Sequence, residues 1–156
     1  MTRYEDDRAQ WSDEQIAALQ SGDWAALDVP MLVRLLNGQT PQDVVRHLRK
    51  LLAALLKWMA CPSRRNGGWS GIISWHRHFL RDIFEDDPPM REHAAAGLQG
   101  EYELAVYRAA SAIGIDPEDL PARCPWNLEQ IIDSEFMPGA PATPDDYERA
   151  YSETGL

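Results

Sequence analysis

The segment "GGWSGIISWHRHFLRDIFED", Gly67 to Asp86, holds two tryptophans, two histidines and two arginines, the side chains best equipped in this chain for metal, acid–base or anion chemistry. His76 and His78 stand two positions apart, which on a helix separates them by roughly 200°, so they cannot share one metal. His76 falls in an apolar stripe and is expected to be a hydrogen-bonded core histidine. His78 faces outward four residues before Asp82, an ordinary helix-surface pair, and Asp43 with His47 has the same spacing. The chain has no HxxxH, HExxH or paired CxxC pattern, so no zinc site is expected. It has no GxGxxG or Walker-type loop either, and "NGG" at 66–68 is a turn rather than a phosphate cradle. A Cys–His nucleophile has no support beyond the residue types. No catalytic residue, no metal and no cofactor is assigned on these grounds. Cys61 and Cys124 each precede a proline outside any CxxC pair, which suits reduced thiols in the cytoplasm.

The cations carry more information. Arg64 and Arg65 follow the end of a long helix, and Arg77 and Arg81 share one face of the next at i,i+4. An antiparallel pairing of those helices puts Lys57, Arg64 and Arg65 near the connecting loop, with Arg77 one to two turns below. One reading is structural: cations complementing helix C-termini and bridging to acidic neighbours. The other is a patch of Lys57, Arg64, Arg65, Trp69, Arg77 and Arg81 that binds an anion or a partner, with tryptophan as the aromatic component common at interfaces. Charge is uneven along the chain. Residues 34–81 carry nine basic groups and one acidic, whereas 82–156 carry four basic and seventeen acidic, within a net charge of −10. Such an acidic protein is repelled by nucleic acid unless its basic face stands well apart.

The elements that position these residues are helical. Ser12 with Gln15 resembles a capping box for a helix reaching Gln20, and Ser21-Gly22-Asp23 breaks it. A short helix follows at Met31–Leu36, stopped by Asn37-Gly38. Thr40-Pro41 gives an N-cap and an N1 proline for a long helix over 41–60. Apolar residues recur every three to four positions there, over 69–85 and over 90–113. The expected fold is all-α: an antiparallel helical bundle of three longer helices with short flanking helices. One helical domain over 1–138 is expected. A tail over 139–156, with Tyr147, Ala150 and Tyr151 on one turn, is partly ordered or docked on a partner. The N-terminus lacks the apolar core of a signal peptide, and the longest apolar run, "LLAALL", is too short to span a bilayer.

Several of these stretches together resemble a known family. "LLAALLKW" (51–58), Pro62, Arg64, Arg65, Trp69, Ile73 and Arg77, then "DDPPMR" (86–91), "LP" (120–121) and "CPWNLEQIID" with its following "F.P" (124–138), are similar to the domain-of-unknown-function 29 family. "WSDEQIAALQSGDWAALD" (11–28) is in the style of the same family. The resemblance implies a small helical bacterial protein and brings no reaction with it. It also implies two glutamates where this chain has Arg34 and Leu35, and a histidine where it has Ala54. Those departures favour a protein-interaction module without catalytic activity, binding a protein partner or a second copy. Anion or nucleic-acid binding through the basic 57–81 hairpin is the alternative. An enzyme using carboxylate acid–base groups is a third, although spacing nominates no pair.

Overall fold

The computed structural model describes residues 1–153, with side chains as far as Glu148. The side chains of Ala150 and Tyr151, and residues 154–156, lie outside the described residues. The chain forms two compact units, Met1–Thr40 and Pro41–Leu156. The first occupies part of the stretch expected as one domain over 1–138, and the segment expected as a tail falls within the second.

In the first unit, α1 (Arg8–Ser21) and α2 (Val29–Asn37) are each stopped by a glycine in the left-handed region, Gly22 at φ 72° and Gly38 at φ 67°. The start of α1 differs from the sequence expectation. Asp7, not Ser12, is the N-cap, because its carboxylate accepts the Gln10 N–H. Gln15 is thereby free to turn inward, where its Oε1 accepts the Asp28 N–H at 2.6 Å. Asp28 caps α2 through the Met31 N–H and accepts the Trp11 indole N–H at 3.1 Å. Tyr4, Trp11 and Met31 form the small core of this unit.

The second unit contains α3 (Pro41–Ala60), α4 (Gly67–Asp86), α5 (Pro88–Ile113), α6 (Leu128–Ile132) and α7 (Pro144–Glu153). No strand occurs among the described residues, and the three longer helices stand where the apolar periodicity places them. Pro41 opens α3, Asn66 caps α4 through the Trp69 N–H, and Pro88-Pro89 open α5 directly after α4. Lys57 meets Trp69 near the α3–α4 connection, and His47 meets His76 farther along, so α3 and α4 run antiparallel. Arg49 pairs with Glu101 at 2.6 Å while Arg64 reaches Ile113, so α3 and α5 run parallel. Lying between two partners, α3 buries every residue from Leu51 to Leu56. At about 1.5–3 kcal/mol for each fully buried leucine, this helix dominates the core. Tyr102 donates its hydroxyl to Pro121 O at 2.7 Å, and burial pushes that phenol up to about 12. Trp126 packs edge-on against Phe136 within the core. Among the described residues no helix is long and apolar enough to cross a membrane.

Candidate anion-binding cleft

The six residues singled out from the sequence divide by their surroundings. Arg65 and Arg77 are 1% and 3% exposed, so neither presents its charge at the surface. The carbonyl of Trp58, near the end of α3, would normally be bonded by the N–H four residues on, but that residue is Pro62 and has none. Arg65 Nε supplies the missing donor at 2.8 Å. Its Nη1 donates to Ala140 O at 2.7 Å, its Nη2 to Pro138 O at 3.4 Å, and its guanidinium lies 4.8 Å from the Trp58 ring centroid. The chain passes so close that a Cβ on Gly139 would stand 3.2 Å from both Arg65 Nη2 and Met59 O, at a φ of 85°.

Arg77 repeats the device on α6. Nε donates to Ile131 O at 2.8 Å and Nη2 to Phe136 O at 2.6 Å. Burial pulls its guanidinium down to about 10, eased by the charge of Asp133 and deepened by that of Arg81. Arg64, on the surface, donates to Ile113 O, the last residue of α5, at 3.2 Å. Three arginines therefore satisfy carbonyls at or near the ends of three different helices, where a cation also meets the negative end of the helix dipole. Arg81 is exposed.

Lys57 and Trp69 are the pair the structure brings together: the ammonium lies 5.1 Å from the indole centroid, and both side chains are half-buried. Lys57 also lines a cleft of about 280 Å³ with Lys50, Ala53 and Ala54 of α3, Ile72 and His76 of α4, and Arg108 and Ala112 of α5. Three cations and no carboxylate line it, and among the described residues no ion pair engages Lys50, Lys57 or Arg108. Burial, then the charges of Arg108 and Arg64, hold the Lys57 ammonium below its usual range. Ala54, where the family resemblance implies histidine, lies in the wall of this cleft.

His76 is buried as expected, with His47 as its partner: the two Nδ1 atoms are 2.9 Å apart. No hydrogen bond or close ion pair joins Asp43 to His47, although the Asp43 charge still acts on that ring. Arg46 takes Asp43 at 3.2 Å, and the His47 ring stacks on Phe79 with centroids 3.7 Å apart. Trp75 adjoins this cluster, 4.8 Å from His76 and 5.3 Å from His47. The expected His78–Asp82 surface pair is present at 3.3 Å. Cys124 donates its thiol to Trp126 O, and burial pushes it above the usual thiol range. Among the described residues no three His, Cys, Asp or Glu side chains converge as a metal ion requires.

The family model Domain of unknown function DUF29 matches residues 3–137. No curated protein and no solved structure matches the chain. The match spans both compact units and includes the buried arginines and the cationic cleft, so the chain belongs to the Domain of unknown function DUF29 family.

Proposed function

We propose that the second unit is a non-catalytic binding module whose α3–α4–α5 cleft holds an anionic ligand. The observation that carries this reading is the convergence of Lys50, Lys57 and Arg108 without a counter-charge in a protein of net charge −10. Placing a half-buried ammonium beside like charges costs folding free energy, and an anion in the cleft offsets that cost. Of the cations first considered from sequence, Lys57 remains in this role, with Arg64 beside it. Arg65 and Arg77 serve the fold. That leaves too few exposed cations on the 57–81 hairpin for a nucleic-acid backbone to be the favoured ligand. Two free thiols, Cys61 and Cys124, fit a reducing cytoplasmic setting.

Titration calorimetry at low ionic strength, with inorganic phosphate as probe, tests the reading. Wild-type protein is expected to bind, and Lys57→Met is expected to weaken binding by about tenfold or more, as loss of one charge-assisted contact requires. Arg81→Met, altering a cation outside the cleft, leaves affinity unchanged. Lys57→Met also stabilises the unliganded fold. Absence of phosphate binding, or equal losses in the two variants, overturns the assignment.

A second reading, association with a protein surface, draws on the first unit. Val29, Val33 and Leu36 recur at i, i+4 and i+7 on α2 and are exposed, Leu36 at 86%. That spacing is the one by which a helix lays an apolar face into a groove. Sedimentation at rising concentration checks the self-association form. Concentration-dependent dimer is expected for wild type and its loss for Leu36→Glu, whereas a monomer throughout removes it.

A further inference from the structure

We infer that the anion bound in this cleft carries a planar ring, and that the ring lies on the exposed face of Trp75. The inference rests on the anion-binding reading and adds the ligand's second half. Ile72, Trp75, His76 and Phe79 follow one another at i, i+3, i+4 and i+7, so they form a single face of α4. Two of them, Ile72 and His76, line the cationic cleft. Trp75 is therefore its direct continuation, one ring away.

Trp75 is held on its protein side and open on the other. His76 meets it edge-on at 4.8 Å, His47 lies 5.3 Å away, and Phe79 lies nearly parallel at 6.1 Å with 26° between the planes. These three rings fix the orientation of the indole while 58% of the residue remains exposed. Ile72, 44% exposed, extends the apolar strip from the indole to the cleft mouth. An oriented, open indole is a platform for stacking, an interaction that tolerates any flat ring.

Size and charge define the rest of the ligand. A cleft of about 280 Å³ lies at the small end for organic ligands, so it accommodates the charged group and leaves the remainder to project over its rim. Three helices bound it, which suits a discrete small molecule. The junction between charge site and platform is the His47–His76 pair. With their Nδ1 atoms sharing one hydrogen, one neutral ring carries an Nε2–H and the other an Nε2 lone pair. The junction is thus polar yet uncharged, as the linker between an anionic group and a ring requires. The ligand class is an organic phosphate or carboxylate bearing a planar ring.

Calorimetry on the full chain separates this inference from the reading beneath it. The probes are inorganic phosphate, ribose phosphate, a nucleoside monophosphate, acetate and benzoate. At least one anion with a planar ring is expected to bind about tenfold or more tighter than its counterpart without one. The phosphate and carboxylate arms show which charged group the cleft prefers. Trp75→Ala, checked for retained helicity, is expected to remove the ring's advantage and leave the affinity for inorganic phosphate unchanged, while Trp75→Phe keeps part of it. If anions with and without a planar ring bind wild type equally, or Trp75→Ala keeps the preference, the inference falls and the anion reading stands. If inorganic phosphate fails to bind wild type, the anion reading and this inference both fall.

Discussion

Arg65→Ala is expected to destabilise the second unit by about 3–5 kcal/mol and to expose the chain beyond Met137 to proteolysis. The magnitude follows from what the side chain satisfies. The Trp58 carbonyl has no backbone donor within reach because Pro62 stands four residues on, so Arg65 Nε is its partner. The carbonyls of Pro138 and Ala140 also lose their donors, and each buried acceptor left unmade costs about 1–3 kcal/mol. Asp146, 3.9 Å from Nη1 and itself buried, loses a neighbouring positive charge as well. Part of the loss is recovered because the tail can swing into water, which keeps the expected value below the sum of these contributions. Urea denaturation gives the free energy, and limited proteolysis followed by mass spectrometry locates the first cleavage. Arg65→Lys tests geometry apart from charge. A point-like ammonium cannot serve Trp58 O on one side and 138–140 on the other, so it is expected to recover less than half of the loss. A change below about 1 kcal/mol in Arg65→Ala would mean that these carbonyls find other donors.

The contrast between Arg65 and Leu52 shows what was legible from sequence. Leu52 belongs to a local repeat, and local repeats are what a helix converts into a buried face, so α3, α4 and α5 emerge from spacing alone. Helix ends were less secure, because capping depends on single residues: at α1, Asp7 does the work that the spacing assigned to Ser12. Arg65 and Arg77 fit the surface-exposed pattern equally well. Their acceptors lie 75 positions later for Ala140 and 54 for Ile131, and no local period carries that information. A signal did exist at Trp58, since a proline four residues after a helix-end carbonyl announces an orphaned acceptor. It named the need and not the donor.

Lys50 had a signal too. It lies seven residues before Lys57, two turns along the same face of α3. Arg108 had none, because only the parallel packing of α5 beside α3 brings it to the cleft. His47 was assigned to Asp43 on spacing, but a nearer guanidinium took the carboxylate and the ring found Phe79. Arg46 and His47 both stand at helical spacing from Asp43, and spacing alone did not choose between them.

Acidification is expected to remove about 3 kcal/mol of stability through His76 alone. His76 is 5% exposed, and burial pushes its ring down from 6.5 to about 4, with the charges of His47, Lys50 and Arg108 acting in the same direction. His47 is lowered also, by burial first and then by Lys50, with Asp43 opposing and Arg46 reinforcing. A base whose folded pKa lies below its unfolded value takes its proton more readily when unfolded. Stability is therefore fully present above about 6.5 and is lost as the pH falls toward 4. The interval corresponds to about 3 kcal/mol at 1.36 kcal/mol for each pH decade. The physical cause is burial of the added charge beside Lys50 and Arg108, and once both rings are protonated two Nδ1–H donors face each other across 2.9 Å. Urea denaturation between these limits measures the loss, and His76→Gln isolates it from the carboxylates that also titrate in acid, by flattening the slope by about one proton. An His76 resonance with its midpoint near 6.5 would show that the ring is solvated. Because Lys50 and Arg108 depress His76, an anion placed between them raises it. Bound phosphate is therefore expected to move the onset of acid unfolding to lower pH in wild type, and to do so less in Lys57→Met.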